Sequence, residues 1–204
     1  MITIHCTKKL FMRLPLDKNG QLPDDTGAEF PDGEYSGLGA WHANIVTLQG
    51  HDCVLFVHDA TRFPVFIKAG TQKDFASLQW HFEDGFMNTL LKLNADQEHL
   101  DAAAKQLSAL RFDTLCDRSV QGTMNRMASD IETMMWQDNL PLDYVSPYKT
   151  GAWLSEMLFS VKGRPYIRPY EEMFTLLDDL TDYHTQAIIR PRPTGKVVNL
   201  DDFR

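Results

Sequence analysis

An arginine, a hydroxyl, a glycine and an asparagine lie along Arg118-Ser119-Val120-Gln121-Gly122-Thr123-Met124-Asn125, spaced so that a helix starting there would turn them toward one place. Helix starts carry unpaired backbone N–H groups and partial positive charge, which suits an anion or a polar ligand. A purely structural role competes: Asp117 or Ser119 caps the helix, Gly122 lets it pack closely on a sheet, and Arg118 pairs with distant carboxylates.

Other reactive residues give less. His5-Cys6 followed by Arg13 resembles a cysteine phosphatase loop, but the spacing is too long and no glycine frees amides to encircle a phosphate. Cys116, two residues before Arg118, would become a nucleophile if the helix start lowered its pKa and a histidine reached it. A buried, inert thiol is the competing reading, since no histidine is tied to it by sequence. His51, Cys53 and His58, even with His5 or Cys6, lack the paired spacing of a metal site, and no P-loop, GxGxxG or GxSxG is present. No metal or cofactor is expected.

Elements of two kinds must position these residues. Residues 2–6 alternate as a first strand. Residues 41–48 and 53–57 are apolar and β-branched, separated by Gln49-Gly50-His51-Asp52, and read as a hairpin with a four-residue connection. Residues 63–68 supply a further strand, placed near an edge by Pro64. Helical spacing then takes over, from Thr71 with Asp74 as a capping-box variant through Phe75, Leu78, Phe82, Phe86, Leu90 and Leu93, and again from about Asp96. Residues 111–116 could add a strand before the helix that starts near Ser119. Its methionine stripe, Met124, Met127, Met134 and Met135, reads as core. A shorter helix is expected over 150–162 with Gly163 as its C-cap, and a last one from Pro169 to about Ala187, with His81 and His184 at helical positions without assigned chemistry.

The expected fold is α+β: an antiparallel sheet of the N-terminal strand and the 41–68 meander, covered on one face by helices. Strands grouped before helices argue against a doubly wound parallel sheet. The expected domains are a core over 1–137, a helical extension over 138–187 packed on it, and a basic linker and tail over 188–204. Residues 17–39 form an acidic loop insertion with six carboxylates against Lys18 alone.

The net charge of −8 opposes general nucleic-acid binding, which depends on cations that neutralise phosphates. No apolar run approaches the roughly 18 residues that span a bilayer, and the N-terminus lacks a signal-peptide pattern. Three cysteines, Cys6, Cys53 and Cys116, fit reduced thiols in a cytoplasmic protein.

Three blocks, Cys6-Thr7-Lys8-Lys9-Leu10, Leu38-Gly39-Ala40-Trp41-His42-Ala43-Asn44 and Arg118 to Asn125, resemble the DUF6933 domain family over about residues 1–137. The family pattern carries acidic residues where this chain has Ala40 and Arg126. The resemblance implies an uncharacterised bacterial protein and brings no activity. If the blocks meet in space, Lys8, Lys9, Trp41, His42, Asn44, Arg118, Ser119 and Asn125 form a cationic pocket for an anionic small molecule or an acidic partner segment. Core packing is the competing role of Trp41. The expected function is a non-enzymatic binding or interaction protein; the alternative is a small hydrolase or transferase acting on a phosphate-containing substrate.

Overall fold

The computed structural model describes residues 1–23, 36–161 and 163–189, with backbone alone from 182 onward. Residues 24–35 of the acidic stretch and 190–204 of the tail lie outside the described residues, as does the His184 side chain.

The chain forms an α+β fold on a five-stranded sheet: β1 (Ile2–Cys6), β2 (Ala40–Leu48), β3 (His51–His58), β4 (Pro64–Lys68) and β5 (Leu110–Asp113), in the order β4-β3-β2-β1-β5. The meander β2-β3-β4 is antiparallel, as its short connections require. β1, however, runs parallel to both β2 and β5, so the sheet is mixed rather than purely antiparallel. Parallel neighbours need long connections, and the segments from β1 to β2 and from β4 to β5 supply them. The β2–β3 connection is tighter than four residues. Gln49 and Gly50 both take positive φ, 49° and 82°, the two-residue geometry that matches strand twist.

Helices cover both faces, not one. On the first face, Ile2, Ile4, Trp41, Ala43, Val54 and Phe56 pack with the apolar stripes of α2 (Gln72–Ala76), α3 (Leu78–Lys92) and α4 (Gln97–Gln106), and with Met173 and Leu177 of α7 (Pro169–Ile189). Leu10 of the one-turn α1 (Lys8–Phe11) closes that core. On the second face, Val46, Leu48, Leu55, Val57 and Phe66 meet Val120, Met124, Met127, Ile131 and Met135 of α5 (Arg118–Gln137) and Leu154 of α6 (Pro147–Glu156). The methionine stripe is core. Two covered faces follow from β3, whose residues from Cys53 onward are all buried, a pattern no half-exposed strand can carry.

Local rules set the helix boundaries. Thr71 and Asp74 make the reciprocal capping box, yet the helix it opens stops at Ser77 and restarts as α3. α6 begins earlier than 150, because Ser146 caps it and Pro147 is pre-set for the first turn, and it ends at Glu156. Gly163, at φ 80°, therefore turns a loop rather than capping a helix.

Candidate functional site

Strand register builds the site. His5 stands opposite His42 on β2 and opposite Asp113 on β5, so three polar side chains from three strands occupy one row. By period two they face away from Ile4, Cys6 and Trp41, onto the α5 side of the sheet. The His5 and His42 rings lie 5.2 Å apart, edge to face.

Each histidine is held differently. His42 is buried; its Nε2 accepts the Asp117 backbone N–H at 2.6 Å, so Nδ1 carries the proton and donates to Asp59 Oδ1 at 2.6 Å. Both ring nitrogens are consumed in tying β2 to the β3–β4 turn and to the start of α5. His5 Nδ1 donates to Asp113 Oδ1 at 2.7 Å, while its Nε2 has no partner among the described residues. A third histidine, His58, donates from Nε2 to the Leu38 carbonyl and accepts at Nδ1 from the Thr61 hydroxyl and N–H, at 2.8 and 3.2 Å. Burial pushes its pKa down to about 4.

The start of α5 is organised by Asp117, whose Oδ1 accepts the N–H groups of Ser119 and Val120 at 2.7 and 3.1 Å. Those bonds hold its carboxyl below the usual carboxylate range. The helix therefore offers fewer free N–H groups to an external anion than the sequence suggests. Gly122 faces open space and mediates no close packing on the sheet.

Beside this start sits Arg62, which no motif or spacing singles out. It is 5% exposed, takes the left-handed φ of 61°, donates from Nη1 to the Asp59 carbonyl and from Nη2 to Ser119 Oγ at 3.3 Å. Its Nε is buried without an acceptor, and no carboxylate comes within ion-pair distance among the described residues. Burial lowers its pKa, opposed by Asp59 and Asp117 nearby. Arg164 approaches the same turn, donating from Nη1 to the Ala60 carbonyl at 3.3 Å and pairing with Glu172.

The eight residues expected to converge do not form one cluster. At the start of α5, His42 accepts the Asp117 N–H and Ser119 Oγ accepts from Arg62, while Arg118 is exposed as the first helical residue; Asn44 lies two positions along the same face of β2, where it accepts the Thr7 hydroxyl at 2.7 Å. Trp41 lies on the opposite face, fully buried against Phe82 and Phe86, because adjacent strand residues point to opposite sides. Lys9 reaches Thr47 Oγ1 at 3.2 Å on that other face, and Lys8 is exposed on the same short helix. Asn125 is exposed nearly two turns into α5.

A family model for a domain of unknown function (DUF6933) matches residues 3–172. The chain belongs to this family. The DUF6933 match extends past the 1–137 motif blocks through α6 and into α7, and covers every residue of the site above. No curated protein and no solved structure matches the chain.

The thiols are not activated. Burial pushes Cys6 up to about 12 and Cys53 up to about 11, and raises half-buried Cys116. Among the described residues, no three His, Cys, Asp or Glu side chains are grouped to hold a metal ion. Nor is any described helix long and apolar enough to cross a membrane.

Proposed function

We propose that this protein is a non-enzymatic binding protein that holds an anionic ligand, or an acidic group of a partner, at the start of α5. The Arg62 guanidinium carries this reading: among the described residues this buried cation hydrogen-bonds a carbonyl and a hydroxyl alone, with Asp59 and Asp117 near but not paired to it and its Nε without an acceptor, and an anion would supply that acceptor. Its left-handed backbone adds support, since strain in a non-glycine residue concentrates at functional positions. Ser119 and Arg164 provide further donors beside it. Free, unactivated cysteines support a reducing, cytoplasmic setting, and the family resemblance a bacterial one.

The test is thermal unfolding of the full chain with inorganic phosphate or sulfate as the probe. The melting temperature should rise with anion concentration at fixed ionic strength, and Arg62→Met should abolish the rise. Equal shifts in wild type and variant would remove the basis of the proposal.

A second reading is a hydrolase or transferase on a phosphate-bearing substrate. It is favoured by His5, whose Nδ1 is oriented by Asp113 while Nε2 stays open to accept a proton. Turnover of phosphoesters by the wild type, lost in His5→Asn, would decide for it.

A further inference from the structure

Arg164 brings a second guanidinium to the β3–β4 turn, and a tied loop puts it there. Phe159 and Ile167 exchange both backbone bonds at 2.9 Å, and both side chains are buried in the core on the α5 side of the sheet. Toward the tip, Gly163 takes φ 80° and the Arg164 N–H reaches the Val161 carbonyl at 3.0 Å. A loop closed at its base and anchored in a core holds its tip at a set reach.

Arg62 and Arg164 bond successive carbonyls of one turn, Arg62 Nη1 that of Asp59 and Arg164 Nη1 that of Ala60, the latter at 3.3 Å. Ser119 Oγ, 3.3 Å from Arg62 Nη2, adds a hydroxyl whose own proton is left to donate. The nearby acids are committed elsewhere: Asp59 Oδ1 to His42 Nδ1 at 2.6 Å, and Asp117 Oδ1 to the Ser119 and Val120 N–H groups. Among the described residues, the carboxylate that pairs with either arginine is Glu172, in the first turn of α7, which accepts from Arg164 Nη2.

That pair is replaceable. The Arg164 and Glu172 side chains are 43% and 31% exposed, and ion pairs so open to solvent contribute little. Charge decides what can replace Glu172. A carboxylate ligand would exchange one monoanion for another at Arg164 and leave Arg62 as it was. A phosphate group carries up to two charges and three acceptor oxygens, enough to accept from both guanidiniums and from Ser119. We propose that Glu172 is an internal competitor that holds Arg164 until a phosphate group, as in a phosphate monoester, takes its place between Arg164 and Arg62. The competition presupposes the anion seat at Arg62, and adds the class of the ligand and the side chain that regulates its entry.

Thermal unfolding of the full chain near neutral pH tests this, with inorganic phosphate and acetate as probes at fixed ionic strength. Phosphate should raise the melting temperature of the wild type and acetate should not. The half-saturating phosphate concentration should rise about ten-fold in Arg164→Met, which loses a charge-assisted contact. It should fall about three-fold in Glu172→Gln, which removes the competitor. Far-UV circular dichroism confirms that both variants fold, and Arg164→Lys, which keeps the charge without the planar fork, should fall between wild type and Arg164→Met. Equal shifts with acetate and phosphate overturn the ligand class, and a phosphate response unchanged in Arg164→Met and Glu172→Gln overturns the competition. Either result leaves the anion seat standing if Arg62→Met still abolishes the shift. A wild type that ignores phosphate, or a shift that survives Arg62→Met, removes the seat itself.

Discussion

His42 Nε2 accepts the Asp117 backbone N–H at 2.6 Å, joining residues 75 positions apart in the chain. Through this bond the sheet fixes where α5 begins, and through Nδ1 it fixes Asp59 in the neighbouring turn. His42→Leu leaves both partners unmet while keeping the ring volume filled. We expect a loss of about 1–3 kcal/mol in urea unfolding, together with a weaker anion response, because Ser119 and Arg62 lose their registration. Unchanged stability would mean that the α5 start is held by other contacts.

His58 makes stability depend on pH in a defined window. Its folded pKa of about 4 lies below its ordinary value of 6.5, so its neutral form is fully native-compatible above pH 6.5. As pH falls from 6.5 toward 4, the unfolded chain takes up a proton that the folded chain refuses, and stability drops. The total loss should be about 3 kcal/mol, reached near pH 4. Carboxylates held low, such as Asp74 and Asp96, weaken the fold only at more acidic pH. Urea midpoints at several pH values, in wild type and His58→Gln, should differ in slope within the window; parallel curves would assign the drop elsewhere.

Two helical glycines should respond oppositely to alanine. A Cβ at Gly151 of α6 would sit 2.9 Å from Thr89 Oγ1, where α6 meets α3, whereas one at Gly122 of α5 would meet nothing within 4 Å. Gly122→Ala should stabilise by about 0.5–1 kcal/mol through helix propensity. Gly151→Ala should destabilise by about 1–3 kcal/mol through overpacking, despite the same propensity gain. Calorimetry on both variants checks the sign of each.

Arg62 should cost the ligand-free protein stability. Arg62→Met removes a buried charge that Asp59 and Asp117 offset without pairing to it, and its stability without added anions should equal or exceed that of the wild type. Arg62→Gly also relieves the left-handed backbone and should exceed Arg62→Met by about 1 kcal/mol. A marked loss in both variants would show that the contacts to Asp59 and Ser119 outweigh the desolvation of the guanidinium.

The interior of each element was legible from local pattern. Period two marked β1, apolar β-branched runs separated by a turn marked the meander, the 3.6-residue stripe of Val120, Met124, Met127 and Ile131 marked α5, and Thr71 with Asp74 marked a helix start. The hairpin strand that carries His42 and the helix entry at Arg118-Ser119 were legible as segments, because a helix start and a hairpin are local signals. Arg62 was not, since nothing about a turn arginine reveals that its guanidinium is buried.

Sequence alone determined what depends on neighbours along the chain: element type, the Thr71–Asp74 capping box, the buried stripe of α5 and the lack of paired ligand spacing. Tertiary structure alone decided what depends on strand order and direction. Parallel pairing of β1 with β2 and β5 put His5, His42 and Asp113 in one row, and the same register sent Trp41 and Lys9 to the opposite face. The reason is physical: side-chain alternation fixes relative faces within one strand, whereas which strands lie side by side is set by long connections and by cores on both faces of the sheet.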